Sequence, residues 1–157
     1  MDQNFINLFD ERTMRVRAQA ANTEEAIKLL GVIMAEAGFV EDAYWEDVYK
    51  REKTFPTGLP TQPIAIAIPH ADPDRVIKSG IAVAVFDQPV KFRIMGSNAP
   101  DEIEVLVVFM LALKDFKQQT AVIRDLLNLI QSKTIISDIH LAKTTKEIFN
   151  AINQGVK

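Results

Sequence analysis

No cysteine occurs in the chain, which excludes a disulfide framework, a thiolate nucleophile and a zinc ribbon. Histidine is nearly as scarce: His70 and His140 are the only two, so imidazole chemistry has two possible addresses. Six glycines stand singly, none of them in a loop leading to a phosphate-binding lysine, so a Gly-rich phosphate cradle is excluded. There is no Gly-x-Ser-x-Gly elbow, and Ser79, Ser97, Ser132 and Ser137 have no evident base beside them. Neither sign of charge dominates: 18 basic against 21 acidic side chains give a net charge of −3, with no footprint for nucleic acid or anionic lipid. Val105 to Leu113, the longest apolar run, has nine residues and is too short to span a bilayer as a helix. The opening Met-Asp-Gln-Asn has no basic segment leading into an apolar stretch, so no signal peptide is read there. The expectation is a cytoplasmic domain with no direct membrane insertion.

What is present is ordinary globular composition. The 157 residues are 48% hydrophobic and 25% charged, without repeats or linker-like tracts, and read as one domain over 1–157. Residues 1–12 lack periodicity and read as a loosely held arm. Met14, Val16 and Ala18 alternate with polar residues as a half-buried strand. Asn22 and Glu25 resemble a capping box opening a helix with Ile27, Leu30 and Met34 on one face, stopped by Gly38. A second helix is predicted from about Glu41 to Lys53, with Trp45, Val48 and Tyr49 inward. Ile64 to Ile68 and Gly80 to Phe86 read as buried strands. Asp87-Gln88-Pro89 reads as a turn into a return strand through Val90, Phe92 and Ile94. Val105 to Leu113 reads as a central strand. Asp115 with Gln118 is the predicted cap of a helix burying Ile123, Leu126, Leu127 and Ile130. A short helix near Thr134 to Leu141 follows, then a last one from Thr144 with Glu147 completing its capping box. The result is α/β: a single domain with a mixed, roughly five-stranded sheet and helices on both faces, mixed because the Gly80–Ile94 hairpin must be antiparallel.

His140 lies near the C-terminal end of its short helix, where a surface histidine complements the helix dipole. His70 follows a buried strand and Pro69, which stiffens the backbone leading into it. Strand C-terminal ends are where α/β sheets bind ligands, so His70 reads either as a positioned nucleophile or as a structural histidine. His70 with Asp72 and Asp74 could be read as a metal site; the competing reading of Asp72-Pro73-Asp74 is a turn that starts a helix.

From Ile64 to Ala71 the sequence runs Ile-Ala-Ile-Ala-Ile-Pro-His-Ala. This string resembles the phosphorylation-site motif of the fructose/mannitol-type (type 2) enzyme IIA domains of the bacterial phosphoenolpyruvate-dependent sugar phosphotransferase system. Arg51-Glu-Lys-Thr-Phe-Pro-Thr-Gly-Leu59 upstream supports the resemblance, as do the long apolar strand and Gln118-Gln119 downstream. It extends from about Met14 to Ile152. It implies that His70 accepts a phosphoryl group, through Nε2, from the histidine-containing phosphocarrier protein and passes it to a cysteine of enzyme IIB, the partner of the membrane component IIC. Arg51 takes the place of an arginine near the phosphohistidine. No cofactor and no metal are implied.

Two features depart from the mannitol-type pattern. Where those members carry a second active-site histidine, this chain has Gln119, and its loop before the motif is the longer Pro60-Thr61-Gln62-Pro63. Both resemble the galactitol-specific branch. Phosphoryl transfer needs a neutral imidazole, the dominant form at pH 7 for a histidine of ordinary pKa about 6.5. Its other nitrogen needs an acceptor, a backbone carbonyl or Asp72. Arg51, Gln119 and the helix N-terminus near Asp115 are the candidate donors to the transferring group. Two other readings use the same residues: a regulatory module switched by phosphorylation of His70, and a metal-dependent hydrolase using His70, Asp72 and Asp74.

Overall fold

Alternation of apolar residues along two long strands builds two cores, one on each face of a single sheet. The computed structural model of the chain describes residues 3–97 and 99–157. Strands β1 (Phe9–Ala18), β2 (Gly58–Leu59), β3 (Ala65–Ala67), β4 (Gly80–Arg93) and β5 (Glu102–Ala112) form that sheet, in the order β1-β4-β5-β3-β2. β1 runs parallel to β4 and β3 parallel to β5, whereas β4–β5 and β2–β3 are antiparallel. The sheet is therefore mixed and five-stranded.

On one face Ile81, Val83 and Val85 join Val107, Phe109 and Leu111. Helices α1 (Gln3–Ile6), α4 (Gln119–Ile130), α5 (Lys133–Leu141) and α6 (Thr145–Val156) cover them. On the other face Ala82, Ala84, Phe86, Val108 and Met110 pack under α2 (Thr23–Glu36) and α3 (Tyr44–Thr54). The cap chemistry of two helices follows the sequence: Asn22 accepts from the Glu25 amide at 2.9 Å, and Thr144 from the Glu147 amide at 3.1 Å. Gly38, at φ 86°, takes the left-handed position that ends α2.

Four expectations need correction. Residues 3–12 are not a loose arm: Phe5 and Phe9 are buried, their rings 5.2 Å apart edge to face, and β1 begins at Phe9. Met1 and Asp2, the rest of that segment, lie outside the described residues. Secondly, Asp87-Gln88-Pro89 is no turn. These exposed residues form a bulge inside the continuous strand β4, whose register against β5 shifts between Val85↔Val107 and Val90↔Val105. A proline is tolerated at such a bulge because no ladder amide is needed there. The antiparallel hairpin is β4–β5 itself. Thirdly, Asp115 caps only a 3-10 turn, Phe116–Gln118, by accepting from the Lys117 amide at 2.9 Å; α4 starts at Gln119 and buries Val122, Leu126, Leu129 and Ile130. Fourthly, α3 turns Tyr44 and Val48 fully inward, leaving Trp45 and Tyr49 half-buried.

The α2–α3 contact closes on Gly31. A Cβ at that position would stand 2.3 Å from Trp45 Cβ and 3.2 Å from Trp45 Cα, backbone that has little room to retreat. Gly31→Ala is expected to lower unfolding stability by about 1–3 kcal/mol despite the better helix propensity of alanine, read by denaturant titration.

Candidate functional site

His70 leaves β3 through Ile68 and Pro69 at the C-terminal end of that strand. The exit is tied to the neighbouring central strand: the Leu111 amide donates to the Pro69 carbonyl at 3.0 Å. Tyr44, fully buried, braces it from the α3 side by donating its hydroxyl to the Leu111 carbonyl at 2.7 Å and accepting from the Ala71 amide at 3.3 Å. Burial pushes the Tyr44 hydroxyl pKa up, so it stays a neutral donor.

The imidazole is 7% exposed, and its Nδ1 lies 2.8 Å from the Ile68 carbonyl oxygen. A carbonyl only accepts, so Nδ1 carries the proton and Nε2 keeps its lone pair. Of the two acceptors the sequence offered, the backbone carbonyl is the one used, and Asp72 contributes its charge. Desolvation lowers the His70 pKa below its ordinary value, and the Arg51 cation adds to the effect; the Ile68 bond and Asp72 oppose it. A neutral imidazole with a free Nε2 follows.

His70, Arg51 and Gln119, far apart in sequence, line one cavity of about 640 Å³. Arg51 sits in the last turn of α3, where a cation complements the helix dipole, with its guanidinium carbon 5.1 Å from the Phe55 ring centre. Its Nε is buried and finds no acceptor among the described residues. Gln119 is half-buried at the start of α4, one turn beyond the start expected from Asp115. Phe55, Met95 and Phe116, also lining the cavity, are 59%, 41% and 63% exposed and form an apolar rim that sequence alone did not identify.

Asp74 lies in a short 3-10 turn, Pro73–Arg75, with Asp72 as its N-cap residue. No group of three or more His, Asp or Glu side chains stands in a metal-holding arrangement among the described residues. His140 is in the last turn of α5 and does not line the His70 cavity. Among the described residues no helix is long and apolar enough to cross a membrane.

One buried group escaped the sequence reading. Glu52, flanked by Arg51 and Lys53, looks like part of a solvated helix end, yet it is 5% exposed. Its carboxyl accepts from the Thr57 amide at 2.7 Å and the Thr57 hydroxyl at 2.8 Å. Desolvation pushes its pKa up from 4.5 to about 7, against the Thr57 bonds and the nearby Arg93 and Arg51 cations. Because the folded value is raised, the fold holds a proton that the unfolded chain releases between about 4.5 and about 7. That contribution is complete below 4.5 and is lost as pH rises through about 7. Glu52→Gln is therefore expected to gain stability relative to the parent as pH is raised across that window, by about 3 kcal/mol at pH 8, in paired denaturant titrations at pH 5 and pH 8.

Residues 7–155 match the family model described as "Phosphoenolpyruvate-dependent sugar phosphotransferase system, EIIA 2", and the chain belongs to that family of phosphotransferase components. The mannitol-specific phosphotransferase enzyme IIA component of Halalkalibacterium halodurans is 38% identical over 86 residues, 53% of this chain and 57% of that protein. The mannitol-specific EIICBA component of Escherichia coli is 31% identical over 149 residues, which is 92% of this chain but 22% of that longer protein. The chain thus spans little more than half of the first relative and about a fifth of the second. Among solved structures, the Escherichia coli complex of mannitol enzyme IIA with phosphorylated enzyme IIB matches with a TM-score of 0.76 at 25% identity, covering 94% of this chain and 99% of that one.

Proposed function

We propose that the chain is a phosphoryl carrier in sugar uptake: His70 takes a phosphoryl group from the histidine-containing phosphocarrier and hands it to a cysteine of an enzyme IIB that serves a membrane component IIC. The observation that carries this reading is the imidazole, fixed through Nδ1–H and presenting an unprotonated Nε2 beside Arg51 in an open cavity. In the first transfer the bond from phosphorus to the donor nitrogen breaks as the bond to Nε2 forms, and the donor imidazole leaves with its electron pair. Arg51 supplies charge to the equatorial oxygens, and the Gln119 amide supplies a neutral donor. The reverse geometry serves the second transfer, with the IIB thiolate as nucleophile. The exposed Phe55, Met95 and Phe116 rim would dock each partner in turn, as a transient apolar contact around the reacting atoms.

Within that role the polyol served is galactitol-like. Gln119 and the longer loop at Pro60–Pro63 support this, whereas the relatives named above are mannitol-specific. The sugar need not touch this chain, so specificity here means the choice of IIB. Labelled chain, phosphorylated by phosphoenolpyruvate, enzyme I and the phosphocarrier, should be chased with IIB proteins of galactitol and mannitol systems. Faster discharge by the galactitol IIB is expected. Faster discharge by the mannitol IIB would overturn the polyol assignment alone, and discharge by neither would favour a regulatory phospho-switch.

A further inference from the structure

We propose that Glu52 is a positioning residue for phosphoryl transfer, acting on His70 through a buried chain of hydrogen bonds that runs Glu52–Thr57–Ile68–His70. The proposal rests on the reading of His70 as the phosphoryl acceptor. Each link is present. The Glu52 carboxyl takes both donors of Thr57, its amide and its hydroxyl, at 2.7 and 2.8 Å. The Thr57 carbonyl accepts from the Ile68 amide at 3.3 Å, and the Ile68 carbonyl accepts from His70 Nδ1–H at 2.8 Å. All four residues are at least nine-tenths buried, so water does not compete for these bonds.

The chain matters because of where Thr57 sits. Phe55, Pro56 and Thr57 connect α3 to β2 outside regular structure, and all three line the His70 cavity. Glu52, one turn back along α3, pins that connection from below. Thr57 in turn fixes the Ile68 peptide, whose carbonyl selects the imidazole tautomer and ring angle. Nothing in this requires electrons to flow along the chain; adjacent groups constrain one another in space. Orientation of a nucleophile to within a fraction of an ångström is a large part of what a protein contributes to phosphoryl transfer. Burying the Glu52 carboxyl costs stability, because desolvation raises its pKa against the opposing Thr57 bonds and the Arg93 and Arg51 cations.

The test combines single-turnover transfer from the phosphorylated phosphocarrier with ¹⁵N NMR of the His70 ring. Glu52→Ala is expected to slow transfer about ten-fold at saturating donor, leave the half-saturating donor concentration unchanged and erode the Nδ1–H tautomer signal. Glu52→Gln should recover most of that rate, because its carbonyl accepts the Thr57 amide and its NH₂ donates to the Thr57 hydroxyl oxygen. Thr57→Val, which removes only the hydroxyl link, should slow transfer about three-fold, and Thr57→Ser should restore it. A folded Glu52→Ala with parental rate and ring spectrum overturns the proposal. So does Glu52→Gln as slow as Glu52→Ala. If Glu52→Ala does not fold, Thr57→Val decides on the same two readouts. Labelling of a folded His70→Gln variant would instead overturn the acceptor assignment.

Discussion

Incubated with phosphoenolpyruvate, enzyme I and the phosphocarrier, the chain should take up one acid-labile phosphate, and His70→Ala should take up none. The loss is expected to be complete because the only other imidazole, His140, lies on α5 and does not line the cavity that holds Arg51 and Gln119. Phosphorylation of the His70→Ala variant at His140 would overturn the assignment. The pH dependence is a second readout of the same site. Burial and Arg51 lower the His70 pKa, so the reactive neutral form persists below the ordinary value of 6.5. The acid limb of acceptance that belongs to His70 should therefore have its midpoint below 6.5. Stability carries the matching signature. Between 6.5 and the lowered folded value the unfolded chain binds a proton that the fold does not, so acidification through that window costs stability. His70→Ala removes that slope, measurable by denaturant titration at a series of pH values.

The parts of this site legible in the sequence are those set by local chemistry. Ile64 to Ile68 followed by Pro69 announces a buried strand with a stiff exit, and the structure places His70 at that exit. Asn22 and Thr144 are caps because an N-cap bond spans only three residues. Where long-range pairing decides, the pattern misleads. Asp87-Gln88-Pro89 has every local property of a turn, yet β5 pairs with β4 on both sides of it, from Arg93↔Glu102 to Gly80↔Ala112, and draws the polar triplet into a bulge. Phe5 and Phe9 show no period because the two rings pack on each other and into a core closed largely by helices at the other end of the chain. Tyr44 and Glu52 were hidden for a related reason. Tyr44 falls one turn before Val48 on the same helical face, a signal that was available, whereas Glu52 sits among charges. Only the return of the chain at Thr57 shows that its carboxyl is enclosed. The site's chemistry is read from one motif; its supports come from contacts that no local window contains.

Removing the Arg51 guanidinium should have the largest effect of any substitution that leaves His70 in place. As the phosphoryl group moves between donor nitrogen and Nε2, charge spreads over three oxygens in an open cavity with protein walls, where an oriented cation acts more strongly than in bulk water. Arg51 meets the structural requirement: it lines the same cavity as His70, and its charge helps to lower the imidazole pKa. Loss of one such donor costs on the order of 10²–10³ in rate, and that is the expected fall in the single-turnover constant for Arg51→Ala. Arg51→Lys should recover part of it, since it restores a charge but not the planar fork. The fold should survive, because Arg51 is in the last turn of α3 and packs its guanidinium on the exposed Phe55 ring. One further measurement separates an electrostatic role from a packing role. With the cation gone, the His70 pKa should rise, towards its ordinary value, in an NMR titration of Arg51→Ala. An unchanged transfer rate together with an unchanged His70 titration would remove Arg51 from the site.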